Sequence, residues 1–183
     1  MTLLFHIAAI VLVVVVIGVY LSWRAGRLDR LHARVDAART ALDLALVRRS
    51  SSAYELASCG LLDPATSLLL ADAVSRTKDG DRPRDLAESD LTRALRATFS
   101  QPEFRSSLKA DDGARELVAE VDAAAHQVFL ARKFYNDVVA ATREARQRPL
   151  ARVLRLSGRA KAPEFFEMDD SLVAENTGAP LGL

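Results

Sequence analysis

Leu3 to Leu21 is a run of 19 residues broken only by His6 and Gly18, and this run constrains the chain more than anything that follows it. As a helix rising 1.5 Å per residue it reaches about 29 Å, close to the thickness of a bilayer's hydrocarbon core. A cleaved signal peptide has a similar apolar centre, but no Lys or Arg precedes the run and no A-x-A site follows it. The next residues are an interfacial aromatic, Trp23, and then Arg24, Arg27 and Arg30, the flank of a retained anchor. Arg34 and Arg39 extend that flank. The positive-inside rule therefore predicts a single-pass protein of the cell membrane, N-terminus outside and C-terminal domain cytoplasmic, with the lipid bilayer as its first partner.

Of 183 residues, an anchor of about 20 leaves room for one modest domain. Val and Ile are concentrated in the first 19 residues, and the remainder is rich in Ala, Leu, Arg, Asp and Glu, the composition of packed helices. A net charge of +1 gives no global case for nucleic acid as a partner. Cys59 is the lone cysteine, which rules out an intrachain disulfide and a cysteine-based zinc site.

Two long segments carry the helical pattern. Gly26 and Gly60 bracket 33 residues free of Gly and Pro, and Gly113 and Pro149 bracket 35. In the first, Leu28, Leu31, Val35, Ala38, Leu42 and Ala45 step by three and four. In the second, Leu117, Val121, Ala124, Val128, Ala131, Tyr135, Val138, Thr142 and Ala145 do the same. Such stripes pair helices at a shallow angle, as in a coiled coil, and the alanines allow close approach. Between them, Asp63-Pro64 reads as N-cap and N1 of a helix, Asp79 to Arg84 as a loop, and Asp85 with Glu88 as a capping box opening a helix to about Phe99. The fold expected is all-α, an N-terminal transmembrane helix continuing into an elongated antiparallel four-helix-type bundle. Its divisions are an anchor at 1–23, a bundle at 24–161, and a short acidic, disordered tail at 162–183.

Chemical signatures are sparse. Asp29 with His32 and Asp122 with His126 have ligand-like spacing, but the Glu-x-x-His pairs of a di-metal bundle are missing. The local motifs of common enzymes are missing too. No catalytic, cofactor-binding or metal-binding residue is assigned, and no cofactor is expected. Arg132, Tyr135 and Asn136 share a helix face and are read as structural, fixing register. Arg148, Arg152, Arg155 and Arg159 oppose Leu150, Val153 and Leu154, a basic amphipathic segment suited either to an anionic leaflet or to an ordinary solvated face.

The segment Ala131 to Val139, ARKFYNDVV, resembles the signature of the LemA family of bacterial membrane proteins. Leu108-Lys109-Ala110 is similar to that family's LKA segment, and Gly158 to Phe166 to its glycine and terminal aromatic pair. Leu42-Asp43, with Leu46 and Arg48-Arg49, resembles the block on its first helix. The chain departs from the family at Ser50 to Tyr54, at Ala125, and at Thr142-Arg143, so the likeness is to a divergent member. It implies a membrane-tethered four-helix-type bundle and no established catalysis.

The function expected is that of a structural or adaptor protein serving a membrane-proximal protein partner, with Glu164, Glu167, Asp169 and Asp170 available to basic groups. A small-molecule-binding or enzymatic bundle with an inter-helix cleft is the alternative. If the two long helices run antiparallel, facing residue numbers sum to about 174, and an Asp43–Arg132 pair is expected to lock that register.

Overall fold

The computed structural model describes the backbone of residues 2–104, 106, 111–147 and 161–170, with side chains throughout except at 3, 21, 24, 25 and 27–29. Among the described residues all regular structure is helical: α1 (Thr2–Ser58), α2 (Pro64–Lys78), α3 (Arg84–Ser100) and α4 (Asp112–Gln147), with a helical turn at 102–104.

α1 is 57 residues long and passes through Gly26 unbroken. A glycine inside a helix costs only about 1 kcal/mol relative to alanine, and Arg30 donates from Nε to the Gly26 carbonyl (3.1 Å). Gly60, at φ +77°, is in the left-handed region that a side chain disfavours, and there the chain turns away. Asp63 then caps α2 as expected, its Oδ1 accepting from the amides of Ala65 (3.0 Å) and Thr66 (3.1 Å). The Thr66 side-chain hydroxyl, and after it the Thr66 amide, hold the Asp63 carboxyl below the ordinary range.

α3 starts differently from the expected capping box. Pro83 occupies the N-cap with no side-chain hydrogen bond, and the Asp85 carboxylate accepts from the adjacent Leu86 amide (2.9 Å). Glu88 is turned inward and committed elsewhere. α4 opens at Asp112, with Oδ1 of Asp111 accepting from the Gly113 amide (2.8 Å).

The described chain forms two compact units, Met1–Ala38 with Asn136–Glu164, and Arg39–Tyr135 with Phe165–Leu183. The expected division at 24–161 does not follow this partition. In the first unit Val35, Ala38, Val139 and Thr142 are buried. The Thr142 hydroxyl donates to the Val138 carbonyl (2.8 Å), which accounts for a polar residue on an apolar stripe. Arg146 lies 3.4 Å from His32 and donates to the Lys161 carbonyl (3.0 Å).

In the second unit four helices supply one core. Ala53 and Leu56 come from α1, Leu70 and Val74 from α2, Leu91 and Leu95 from α3, Val118, Val121 and Ala125 from α4, and Phe104 joins them. Here α1 and α4 run antiparallel in the expected register. The Arg39 guanidinium lies 5.7 Å from the Tyr135 ring, and Arg48 donates to Gln127 (3.4 Å); both pairs of numbers sum to about 174. The buried stripe of α4 departs in detail, with Val118 and Val139 buried where Leu117 and Val138 are half-buried, and Ala131 half-buried beside a buried Ala124.

Candidate functional site

At the centre of the second unit lies an ion pair with almost no access to water. Arg49 (2 % exposed) donates from Nη2 to Oε2 of Glu88 (1 % exposed) at 2.7 Å. The same nitrogen donates to the Glu88 carbonyl (3.1 Å), and Nη1 donates to the Thr92 hydroxyl (3.0 Å). Residues 88, 92 and 95 fall at helical spacing on the inward face of α3, so one turn presents carboxylate, carbonyl and hydroxyl together. Burial pushes the Glu88 carboxyl above its usual range, opposed by Arg49 and Arg84. Burial also lowers the Arg49 guanidinium from its usual value, against the attraction of Glu88. Desolvation thus sets the direction at both partners, the behaviour of a buried pair.

Charge continues outward from this pair. Arg84 lies 3.8 Å from Oε1 of Glu88 and donates to Oδ1 of Asp43 at 2.8 Å. Arg39 reaches the same aspartate oxygen from one turn back (3.5 Å). Beside Arg84 and Glu88 is a cleft of about 460 Å³, whose walls include Ser50, Thr77, Lys78 and Arg82. Ser50 and Thr77 are hydrogen-bonded to each other (3.1 Å), Arg82 is paired with Asp90 (3.1 Å), and Lys78 sits over the Tyr54 ring. Most of the cleft's polar groups are therefore already engaged.

On another face of the same unit, residues 165–170 lie extended. The expected disordered tail is corrected here: Phe166 and Met168 are buried, while Phe165 and Glu167 face outward. This alternation is what an extended strand produces when one side meets a surface. The Arg39 guanidinium lies 5.6 Å from the Phe166 ring. The Asp169 amide donates to the Ser89 hydroxyl (3.0 Å), its carboxylate accepts from Arg96 (3.1 Å), and Asp170 accepts from Arg132. Residues 171–183 of the expected tail lie outside the described residues.

The residues singled out from the sequence divide accordingly. Asp43 and Arg132 do not meet: Asp43 pairs with Arg84 and Arg39, Arg132 with Asp170. The register was sound, but α3 and the C-terminal segment bring nearer partners. Arg49 is the buried cation of the pair, while Arg48 is exposed. Tyr135 is buried and Asn136 half-buried. Arg30 is exposed; the side chains of Arg24 and Arg27, and Arg148, Arg152, Arg155 and Arg159 entirely, lie outside the described residues. No group of three or more His, Cys, Asp or Glu among the described residues is arranged to hold a metal.

The roles of several residues of the site were not announced by the motifs in which they fall. Glu88 shares a stripe with Leu91 and Leu95, and a carboxylate on an apolar stripe is itself a signal of a buried partner. Phe166 and Met168 two apart were the corresponding signal in the tail.

No protein-family model, curated protein or solved structure matches the chain.

Proposed function

We propose that this chain is a membrane-tethered helical adaptor, a divergent relative of the LemA proteins, anchored by Leu3–Leu21 with its bundle in the cytoplasm. The observation that carries the reading is the surface of α1: every described side chain from Leu4 to Tyr20 is exposed, the large apolar ones from 75 % at Phe5 down to 44 % at Tyr20. Soluble proteins rarely leave so large an apolar surface uncovered, and a bilayer is the solvent that removes it from water. Among the described residues no helix is long and apolar enough to cross a membrane. The unbroken stretch of described side chains, Leu4–Tyr20, is about 25 Å long, and the sequence extends it at both ends through Leu3 and Leu21. His6, the polar residue within it, hydrogen-bonds through Nδ1 to the Thr2 carbonyl (2.5 Å), which lowers the cost of taking it into lipid.

The adaptor reading draws on a bundle whose helices are packed through Leu, Ala and Val and whose polar groups are largely paired with one another. The test is alkaline extraction of membranes. The full chain should stay in the pellet, a chain lacking residues 2–23 should be released, and a cytoplasmic reporter fused after Leu183 should be active. A full chain found in the supernatant would end the tether reading, and an active extracytoplasmic reporter would invert the topology.

A second reading, a small-molecule site, is favoured by the cleft beside Arg84 and Glu88. Its volume of about 460 Å³ lies within the range of ligand pockets. Binding there would be abolished by Ser50→Trp while the membrane behaviour stayed unchanged.

A further inference from the structure

We propose that the surface of the second unit bearing Arg39, Ser89, Arg96, Arg132 and Tyr135 is a peptide-binding groove. Its ligand is an extended segment in which an aromatic and an aliphatic residue two apart are followed by two carboxylates. Residues 166–170 of this chain, Phe-Glu-Met-Asp-Asp, occupy the groove in cis and compete with a partner protein's segment of the same chemistry.

Four independent contacts define what the groove reads. Phe166 and Met168 are buried while their neighbours Phe165 and Glu167 face outward, so alternate side chains are selected and the peptide must be extended. The Arg39 guanidinium faces both the Phe166 ring (5.6 Å) and the Tyr135 ring (5.7 Å), a cation placed for an aromatic ligand. Ser89 takes a backbone amide of the peptide (3.0 Å), which fixes register without regard to side chain. Arg96 and Arg132 come from different helices and each takes one of two successive carboxylates, recognition of an acidic motif by an arginine pair.

The groove is thus built from α1, α3 and α4, while its occupant belongs to none of them and follows α4 after residues 148–160. Because the occupant is part of the same chain, its competition with a partner's segment is intramolecular. A partner binds by displacing it, which makes the acidic segment an internal brake on the adaptor. The partner's place at the membrane rests on the tether reading; the groove itself does not, and the assay below uses detergent-solubilised full chain so that the two fail separately.

The probe is a fluorescent peptide of residues 161–170, KAPEFFEMDD, titrated into the full chain. Asp169→Ala/Asp170→Ala in the chain weakens the internal competitor, and this variant should bind the peptide at least tenfold more tightly than the unmodified chain. Arg96→Glu/Arg132→Glu should lose the peptide. The same groove variant should bind a peptide with lysine at positions 169 and 170, and that rescue separates a reversed groove from a misfolded one. Equal binding by the unmodified chain and the Asp169→Ala/Asp170→Ala variant, or failure of the rescue, overturns the proposal. So does an unmodified chain that sediments as a dimer and becomes monomeric with Arg96→Glu/Arg132→Glu, because the groove would then be filled by a second copy's segment rather than by a partner.

Discussion

Two stretches of α1 use apolar residues in opposite ways. From Leu4 to Tyr20 they cover the helix all round, and every described one is exposed. From Arg39 to Ser58 they form one stripe: Leu42, Leu46, Ala53 and Leu56 are fully buried, while Leu44, Val47 and Tyr54 on the other side are exposed. The apolar content of a helix therefore does not say what it packs against; its angular distribution does. A stripe asks for a neighbouring helix. An apolar surface without a polar face asks for an apolar solvent.

The sharpest way to break this contrast is to place one substitution in both stretches. Leu46→Arg removes a fully buried side chain and strands a charge, and should destabilise the bundle by on the order of 5 kcal/mol, read as the loss of cooperative melting. Val14→Arg should leave bundle melting unchanged and, under the proposed tether, disfavour membrane insertion by about 3 kcal/mol, read as a shift toward the soluble fraction. Comparable melting losses for both would mean that the first stretch is covered by protein.

Charges divide along the same line. Leu4–Tyr20 contains none, whereas the second stretch holds Arg49, buried among its apolar residues. Arg49→Ala leaves Glu88 without its closest cation and should cost about 3–5 kcal/mol in urea unfolding. Arg49→Met with Glu88→Leu removes both charges and should recover most of that loss. If the double variant is no better than Arg49→Ala, the pair is worth more than an apolar replacement of the same shape. The pH dependence has a definite sign. Glu88 titrates above its unfolded value, so the folded chain holds its proton more tightly. The stability it contributes is full below the unfolded value, roughly pH 4.3, and is lost as pH rises through the folded one. Glu88→Gln should flatten that decline in urea midpoint as pH rises above the unfolded value.

On α4, Ala124 is buried and Ala131 half-buried, so the two alanines of one stripe should respond unequally. Ala124→Glu should cost about 3 kcal/mol through overpacking and an unpaired charge, and Ala131→Glu clearly less. Equal melting losses would show that helical spacing, rather than burial, sets the cost.

That graded stripe also shows how far the sequence could be read. Steps of three and four located the long helices, Asp63-Pro64 the cap of α2, and the Gly and Pro brackets the antiparallel register, because these depend on residues close in sequence or on helix rise alone. The partners of Asp43 and Arg132 could not be found in the same way. Register gives the height at which a side chain projects, but Arg84 and Asp170 reach those heights from α3 and from the C-terminal segment, whose placement depends on the whole core. Glu88 was assigned to a local cap, a role its spacing from Asp85 permits, while its burial depends on Arg49, 39 residues away. The acidity of Glu164 to Asp170 suited a solvated tail, and the alternation of Phe166 and Met168 over so few residues is too short to stand out against that composition.

The smallest effect concerns the charges at the edge of the α1 stripe. Asp43 and Arg84 bond at 2.8 Å with side chains 38 % and 36 % exposed, so water screens the pair and its coupling should be about 0.2–1 kcal/mol. Arg84→Ala alone will overstate it, because Arg84 also stands 3.8 Å from the buried Glu88 carboxylate, and that loss appears whether or not Asp43 is present. A double-mutant cycle on Asp43→Ala and Arg84→Ala subtracts the shared part. Arg39 remains 3.5 Å from Asp43 in the Arg84→Ala background and can partly replace the lost cation, which pushes the measured coupling toward the lower end. The matching cycle on Asp43→Ala and Arg132→Ala should be additive within about 0.3 kcal/mol, since Arg132 is bound to Asp170 instead. A larger coupling in the second cycle than in the first would return Asp43 to α4 and remove α3 from this edge of the stripe.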